Sequence, residues 1–200
     1  NVKAIVARGS GGIRVADPAR YDALSSALLA RVTEWPRRAH WVKLGLAAGW
    51  DTFKHTQNPG MWPKDRWDEL YGEAKRMESL RSVISCASCP LSCRLRWQIP
   101  GGEFDGEAGL GSPYSKSATS GQLLGIEDDR KMIHLVTQAN ALTGIDFYTT
   151  TRIIDFLTRM AESGRIAKEQ DGIVLDRSYG TIERLFRMTA DREGLGDVIA

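Results

Sequence analysis

Cysteine is scarce in this 200-residue chain, which has three. So few, and an odd number, exclude the set of paired bridges that staples small secreted domains. No apolar run approaches the roughly 20 residues that cross a bilayer, and the N-terminal stretch lacks the apolar centre of a secretion signal. No membrane partner is therefore expected, and a cytoplasmic setting is. An excess of one charge is missing too. The 27 basic and 25 acidic side chains leave a net charge of +2, too little to argue for a nucleic-acid partner. What the chain does not lack is apolar side chains. At 42% hydrophobic and 8% aromatic it can fill the core of one domain or a tight pair, which argues against disorder. Internal repeats and low-complexity tracts are absent.

The three cysteines are concentrated. Cys86, Cys89 and Cys93 fall within one octet, so three soft thiolates lie within two helical turns or one loop. Zinc or a polynuclear iron cluster demands that local density. Zinc could complete its tetrahedron with His55 or His134, whereas a four-iron cluster recruits a distant fourth cysteine, which this sequence does not hold. Three reduced thiols so close together without a metal would be a redox liability. The residues leave three classes open: a redox enzyme, a small iron-sulfur electron carrier, and a zinc-stabilised binding module using the tryptophan-rich basic stretch from Trp35 to Trp50. The missing fourth cysteine counts against the carrier, and the near-neutral charge against the module.

Periodicity predicts a mainly α fold with one or two short β-hairpins. The β-branched run Val2 to Ala7, the turn signal from Gly9 to Gly12 and Ile13 to Val15 predict a strand pair near the N-terminus. The chain opens on that run without an initiating Met, so further sequence is expected to flank it. Asp17-Pro18 is an N-cap followed by proline at the first helical position. Tyr21, Leu24, Leu28 and Val32 then keep helical spacing to about Thr33. From Glu34 to Lys64 the pattern predicts short helical turns and loops, and from Asp65 to Arg76 a helix. Leu95 to Ile99 reads as a strand stopped by Pro100-Gly101-Gly102. Helices are expected from Glu127 to Gly144, from Asp146 to Gly164 and from Thr181 to Glu193, each bounded by a capping residue or glycine. Asp197 to Ala200 reads as the start of another.

Three landmarks carry a family resemblance. Asn1 to Gly9 followed by Val15-Ala16-Asp17-Pro18, the stretch Cys86-Ala87-Ser88-Cys89-Pro90-Leu91-Ser92-Cys93, and Arg192-Glu193-Gly194-Leu195-Gly196-Asp197 resemble, in that order, segments of the aldehyde:ferredoxin oxidoreductases. The resemblance implies that residues 1–200 are a helical middle domain, with a pterin-binding domain before it and a helical domain after it. It implies a tungsten or molybdenum ion held by two pterins beside a 4Fe-4S cluster. Cys86, Cys89 and Cys93 would be cluster ligands, with the fourth cysteine beyond Ala200, and ferredoxin or an iron-sulfur subunit would be the electron partner. Arg94, beside a ligand, could offset cluster charge or bond a sulfur; a solvated arginine is the alternative. The exposed apolar faces would be docking surfaces for the remaining domains.

Two departures from the family pattern bear on chemistry. The pterin-contacting Asp-x-x-Gly-Leu-Asp element corresponds to Ala141-Leu142-Thr143-Gly144-Ile145-Asp146, so Gly144 and Asp146 remain while the first aspartate is alanine. Asp146 could serve as a helix N-cap, as a pterin contact, or as both. The Gly-Pro-Glu-Tyr-Glu stretch of aldehyde-oxidising members corresponds to Gly111-Ser112-Pro113-Tyr114-Ser115, where both glutamates are gone and with them the obvious acid or base. His55, within the run from Lys54 to Trp62, could replace that proton donor. A structural role is the competing reading. The same loss suits the divergent branch that includes subunits similar to the tungsten-containing benzoyl-CoA reductase.

Overall fold

A computed structural model of the chain describes residues 5–45, 48, 62–111, 120–139 and 144–200. The described elements begin with helix α1 (Pro18–Thr33) and helix α2 (Arg38–Leu44). Next come α3 (Lys64–Tyr71) and α4 (Glu73–Ser79), then strands β1 (Leu80–Ile84), β2 (Arg94–Gln98) and β3 (Ala108–Gly111). Helices α5 (Asp129–Thr137) and α6 (Phe147–Glu162) are followed by the hairpin β4 (Glu169–Gln170) and β5 (Ile173–Val174). Helices α7 (Tyr179–Asp191) and α8 (Leu195–Ile199) complete the set. The chain is mainly α with two small antiparallel sheets, ordered β1-β2-β3 and β4-β5.

The helical body is built on α5, α6 and α7. On α5, Met132, Leu135, Val136 and Ala139 turn one stripe inward, and the helix relaxes into a π turn at Gln138 and Ala139. Phe147 and Ile154 of α6 meet Ile182, Leu185 and Phe186 of α7 in the same core, with the Phe147 and Phe186 rings 5.6 Å apart. Fully burying each such side chain stabilises the fold by about 1.5–3 kcal/mol. On its other side α5 closes the three-stranded sheet, because Ile133 joins Leu95, Trp97 and Ile99 in a second, smaller core. One helix therefore welds the sheet to the body.

The end of the chain gives the Arg192-Glu193-Gly194-Leu195-Gly196-Asp197 stretch a structural basis. Arg192 ends α7 in the left-handed region and Gly194, φ 50°, redirects the backbone. Helix α8 then lies back on α7 so closely that a Cβ at Gly196 would sit 2.1 Å from the Met188 carbonyl carbon. Only glycine permits that approach.

Several expectations need correction. The predicted N-terminal strand pair is absent among the described residues: Ile5, Val6 and Ile13 are in irregular, exposed chain. A strand needs a neighbour to satisfy its backbone groups, and none of the described strands adjoins this segment. Helix α1 forms where predicted, with Asp17 accepting from the Arg20 amide at 3.0 Å. Its apolar stripe faces outward, however, with Tyr21 56%, Leu24 61% and Leu28 63% exposed. The single helix expected from Asp65 to Arg76 is two helices, because Gly72 adopts an extended conformation between α3 and α4.

Candidate functional site

The three cysteines occupy the loop joining β1 to β2. Ile84 pairs with Arg94 across the antiparallel ladder, so the loop from Ser85 to Cys93 leaves and re-enters the sheet at strand spacing. Inside it, the Cys89 amide donates to the Cys86 carbonyl at 3.1 Å, closing a turn whose third residue, Ser88, has φ 59°. Cys86 and Cys89 are thus the two ends of one turn, both exposed, and Cys93 is half-buried at the base. None of the three is in a disulfide. The Cys89 thiol donates to the Leu91 carbonyl at 3.1 Å, and the Ser85 and Ser92 hydroxyls lie 2.7 Å apart. Those serines immediately precede Cys86 and Cys93.

The loop is backed by the end of α2. Gly45 takes φ 59°, and a Cβ there would meet Leu95 Cδ2 at 2.3 Å, Val83 Cγ1 at 3.1 Å and the Cys93 carbonyl oxygen at 3.4 Å. Helix α2 therefore rests on both strands that carry the cysteine loop. Arg94, the first residue of β2, is exposed, while Leu95 beside it points into the sheet core.

The donor set suits a polynuclear cluster in kind. It consists of three unbridged thiols with no competing acidic ligand among them. Among the described residues no three His, Cys, Asp or Glu side chains converge as the ligands of a single ion must. A cluster asks less of its ligands, since its thiolates bind different irons spread over the cluster face. Zinc completed by His134 does not fit the fold. That ring is 8% exposed and engaged elsewhere, with Nδ1 2.9 Å from Glu107 Oε2 and Nε2 3.7 Å from Glu183 Oε1.

His134, weighed from the sequence only as a possible zinc ligand, is instead a buried polar joint. Phe104 stacks on its ring at 3.9 Å, and Glu107, between β2 and β3, holds it against α7. The adjoining Tyr179 hydroxyl has no partner among the described residues. Its pKa is raised by burial and then by Glu183, Glu103, Glu107 and Asp128. The available signal was the spacing of Phe104 and Glu107 after the turn Pro100-Gly101-Gly102, which the periodicity of α5 alone does not reveal.

Gly144 and Asp146 belong to a different element. Gly144 has φ 72°, and Asp146 caps α6, its Oδ2 accepting from the Thr149 amide at 2.8 Å. The N-cap reading of Asp146 therefore holds. A cavity of about 210 Å³ opens between α5 and α7, lined by Leu135, Gln138, Ala139, Glu183, Phe186 and Arg187. His55, residues 112–115 and residues 141–143 lie outside the described residues.

Comparison with known proteins bears on this arrangement. A curated relative, the aliphatic sulfonate oxidoreductase WOR-like subunit of Pyrococcus furiosus, is 24% identical over 211 aligned positions, covering 100% of this chain and 33% of its own length. The chain thus spans about a third of that relative. Among solved structures, the active-site complex BamBC of benzoyl coenzyme A reductase with 1,5-dienoyl-CoA shares the fold. It has a TM-score of 0.61 and 17% identity over 96% of this chain and 31% of its own. The family model described as aldehyde ferredoxin oxidoreductase, domains 2 and 3, matches residues 32–200, and the chain belongs to that oxidoreductase family.

Proposed function

We propose that this chain is the part of a tungsten- or molybdenum-pterin oxidoreductase that holds a 4Fe-4S cluster and passes electrons between the substrate site and ferredoxin or an iron-sulfur subunit. The observation that carries the reading is the β1–β2 loop with its three unbridged thiols. When bound, the cluster supplies one-electron transfer. Cys86, Cys89 and Cys93 would be three of its ligands, and a cysteine from elsewhere in the parent protein would be the fourth. Arg94, exposed and adjoining Cys93, sets a positive charge beside the site and favours the reduced state.

Gly144 and Asp146 would meet the pterin from the start of α6. Capping and pterin contact are compatible, because a carboxylate has two oxygens and about four acceptor positions. His55 is proposed as the proton donor in place of the missing glutamates. A catalytic subunit of the benzoyl-CoA reductase type, acting on an acyl-CoA, is the second reading, favoured by the absence of both glutamates from Gly111 to Ser115. The outward apolar face of α1 would dock against the remaining domains of the parent chain.

The test is metal analysis and visible absorption of the full-length protein purified without oxygen, beside a variant with alanine at Cys86, Cys89 and Cys93. Brown colour with iron and sulfide, both lost in the variant, supports the reading. Stoichiometric zinc lost in the variant overturns it in favour of a zinc-stabilised module.

A further inference from the structure

We infer that Ser85 and Ser92 are positioning residues for the cluster, clasping the base of the cysteine loop and supplying a hydroxyl hydrogen bond to one of its sulfurs. This rests on the cluster reading above and deepens it.

The two hydroxyls lie 2.7 Å apart, the usual length of an O–H···O hydrogen bond. They stand one residue before Cys86 and one before Cys93, so the clasp joins the first and last arms of the loop beyond the Ile84 and Arg94 pair that ends the ladder. A two-residue turn needs no such closure; this loop is longer, and the other hydrogen bonds described inside it, the Cys86 to Cys89 turn and the Cys89 thiol on the Leu91 carbonyl, do not join its two arms at the base. The second point is proton counting. Two hydroxyls carry two protons, and their mutual bond uses one. The proton of the accepting hydroxyl remains for a further acceptor. In a loop whose neighbouring side chains are thiols, the strongest acceptor to arrive would be a cluster sulfur or a thiolate bound to iron. Hydrogen bonds to cluster sulfurs stabilise the reduced, more negative state and raise the reduction potential. The same pair would thus fix the separation of two ligand-bearing arms and tune the electron-transfer step.

The experiment uses the full-length protein purified without oxygen, in four versions besides wild type: Ser85→Ala, Ser92→Ala, Ser85→Thr and Ser92→Thr. Iron and sulfide are counted, the midpoint potential is titrated, and pulsed EPR of the reduced cluster is recorded in H₂O and D₂O. Alanine variants that keep their iron are expected to show a more negative potential and a lost exchangeable-proton coupling, with threonine restoring both. Iron lost with alanine and retained with threonine also supports the inference, through assembly. Unchanged potential and coupling in the alanine variants, or equal changes with threonine and alanine, overturn it. A wild-type protein without iron overturns the cluster reading itself.

Discussion

Replacing Asp129 with asparagine should change how stability depends on pH. Asp129 opens α5, is 3% exposed, and its Oδ1 has no hydrogen-bond partner among the described residues. Burial, the largest cause, lifts its pKa from 3.8 to about 6; Asp128 and Glu78 add to the rise, against Lys75 and Arg130. A folded-state pKa above the unfolded one means the folded protein binds more protons between those values. The favourable contribution is therefore complete below 3.8 and lost as pH rises through about 6, a change of about 3 kcal/mol. The helix N-terminus favours the ionised form by ~0.5 kcal/mol and trims this. Urea unfolding of both proteins between pH 4 and 8 isolates the effect, because the other carboxylates cancel in the difference. The asparagine protein should gain relative stability across that window and lead by about 2–3 kcal/mol at neutral pH. Parallel pH profiles would refute the reasoning.

Other parts of the fold make separate claims. Arg177 donates to Asp155 at 3.0 Å and to the Leu123 carbonyl at 2.8 Å, so Arg177→Met should cost about 2 kcal/mol by leaving a nearly buried carboxylate underpaired. Glu162→Gln, at the exposed end of the same arginine, should cost under ~0.5 kcal/mol in the same unfolding assay. Gly196→Ala should cost about 3 kcal/mol by forcing α8 off the α7 backbone, read as a fall in melting temperature. Asp146→Ala should cost about 1 kcal/mol through the lost cap, whereas Asp146→Ser keeps the cap. Loss of tungsten or molybdenum from the serine variant of the whole enzyme would support the pterin contact, and full metal content would leave Asp146 a cap alone.

Helices with a capped start and a single apolar face were legible in the sequence. Asp17, Asp146 and the α5 stripe are local signals, and each helix follows from its own residues. What depended on distant neighbours was harder to read. Strand β1 is only Leu80–Ile84 and lies between a helix and the cysteines, so nothing local marks it. Strand β3, Ala-Gly-Leu-Gly, has poor strand propensity and forms because β2 offers an edge and Trp97 covers Gly109, where a Cβ would lie 2.6 Å from the indole. The reverse error came at the N-terminus, where strong β-branched residues predict a strand that finds no partner among the described elements. At the site, the close spacing of Cys86, Cys89 and Cys93 was legible, and the structure gathers them, unbridged, on one loop between β1 and β2. The contact of Ser85 with Ser92 and the His134 joint were invisible because the first depends on the register of β1 with β2, and the second on the packing of α5 between the sheet and α7.

The measurement closest to the central claim is low-temperature EPR of the chemically reduced full-length protein, with iron counted on the same samples and cysteine variants made singly at Cys86, Cys89 and Cys93. About four irons per cluster site are expected, with a reduced-cluster signal that each single variant abolishes or converts to a three-iron type. An unchanged signal in all three variants would contradict a ligand role for these cysteines and place the cluster elsewhere.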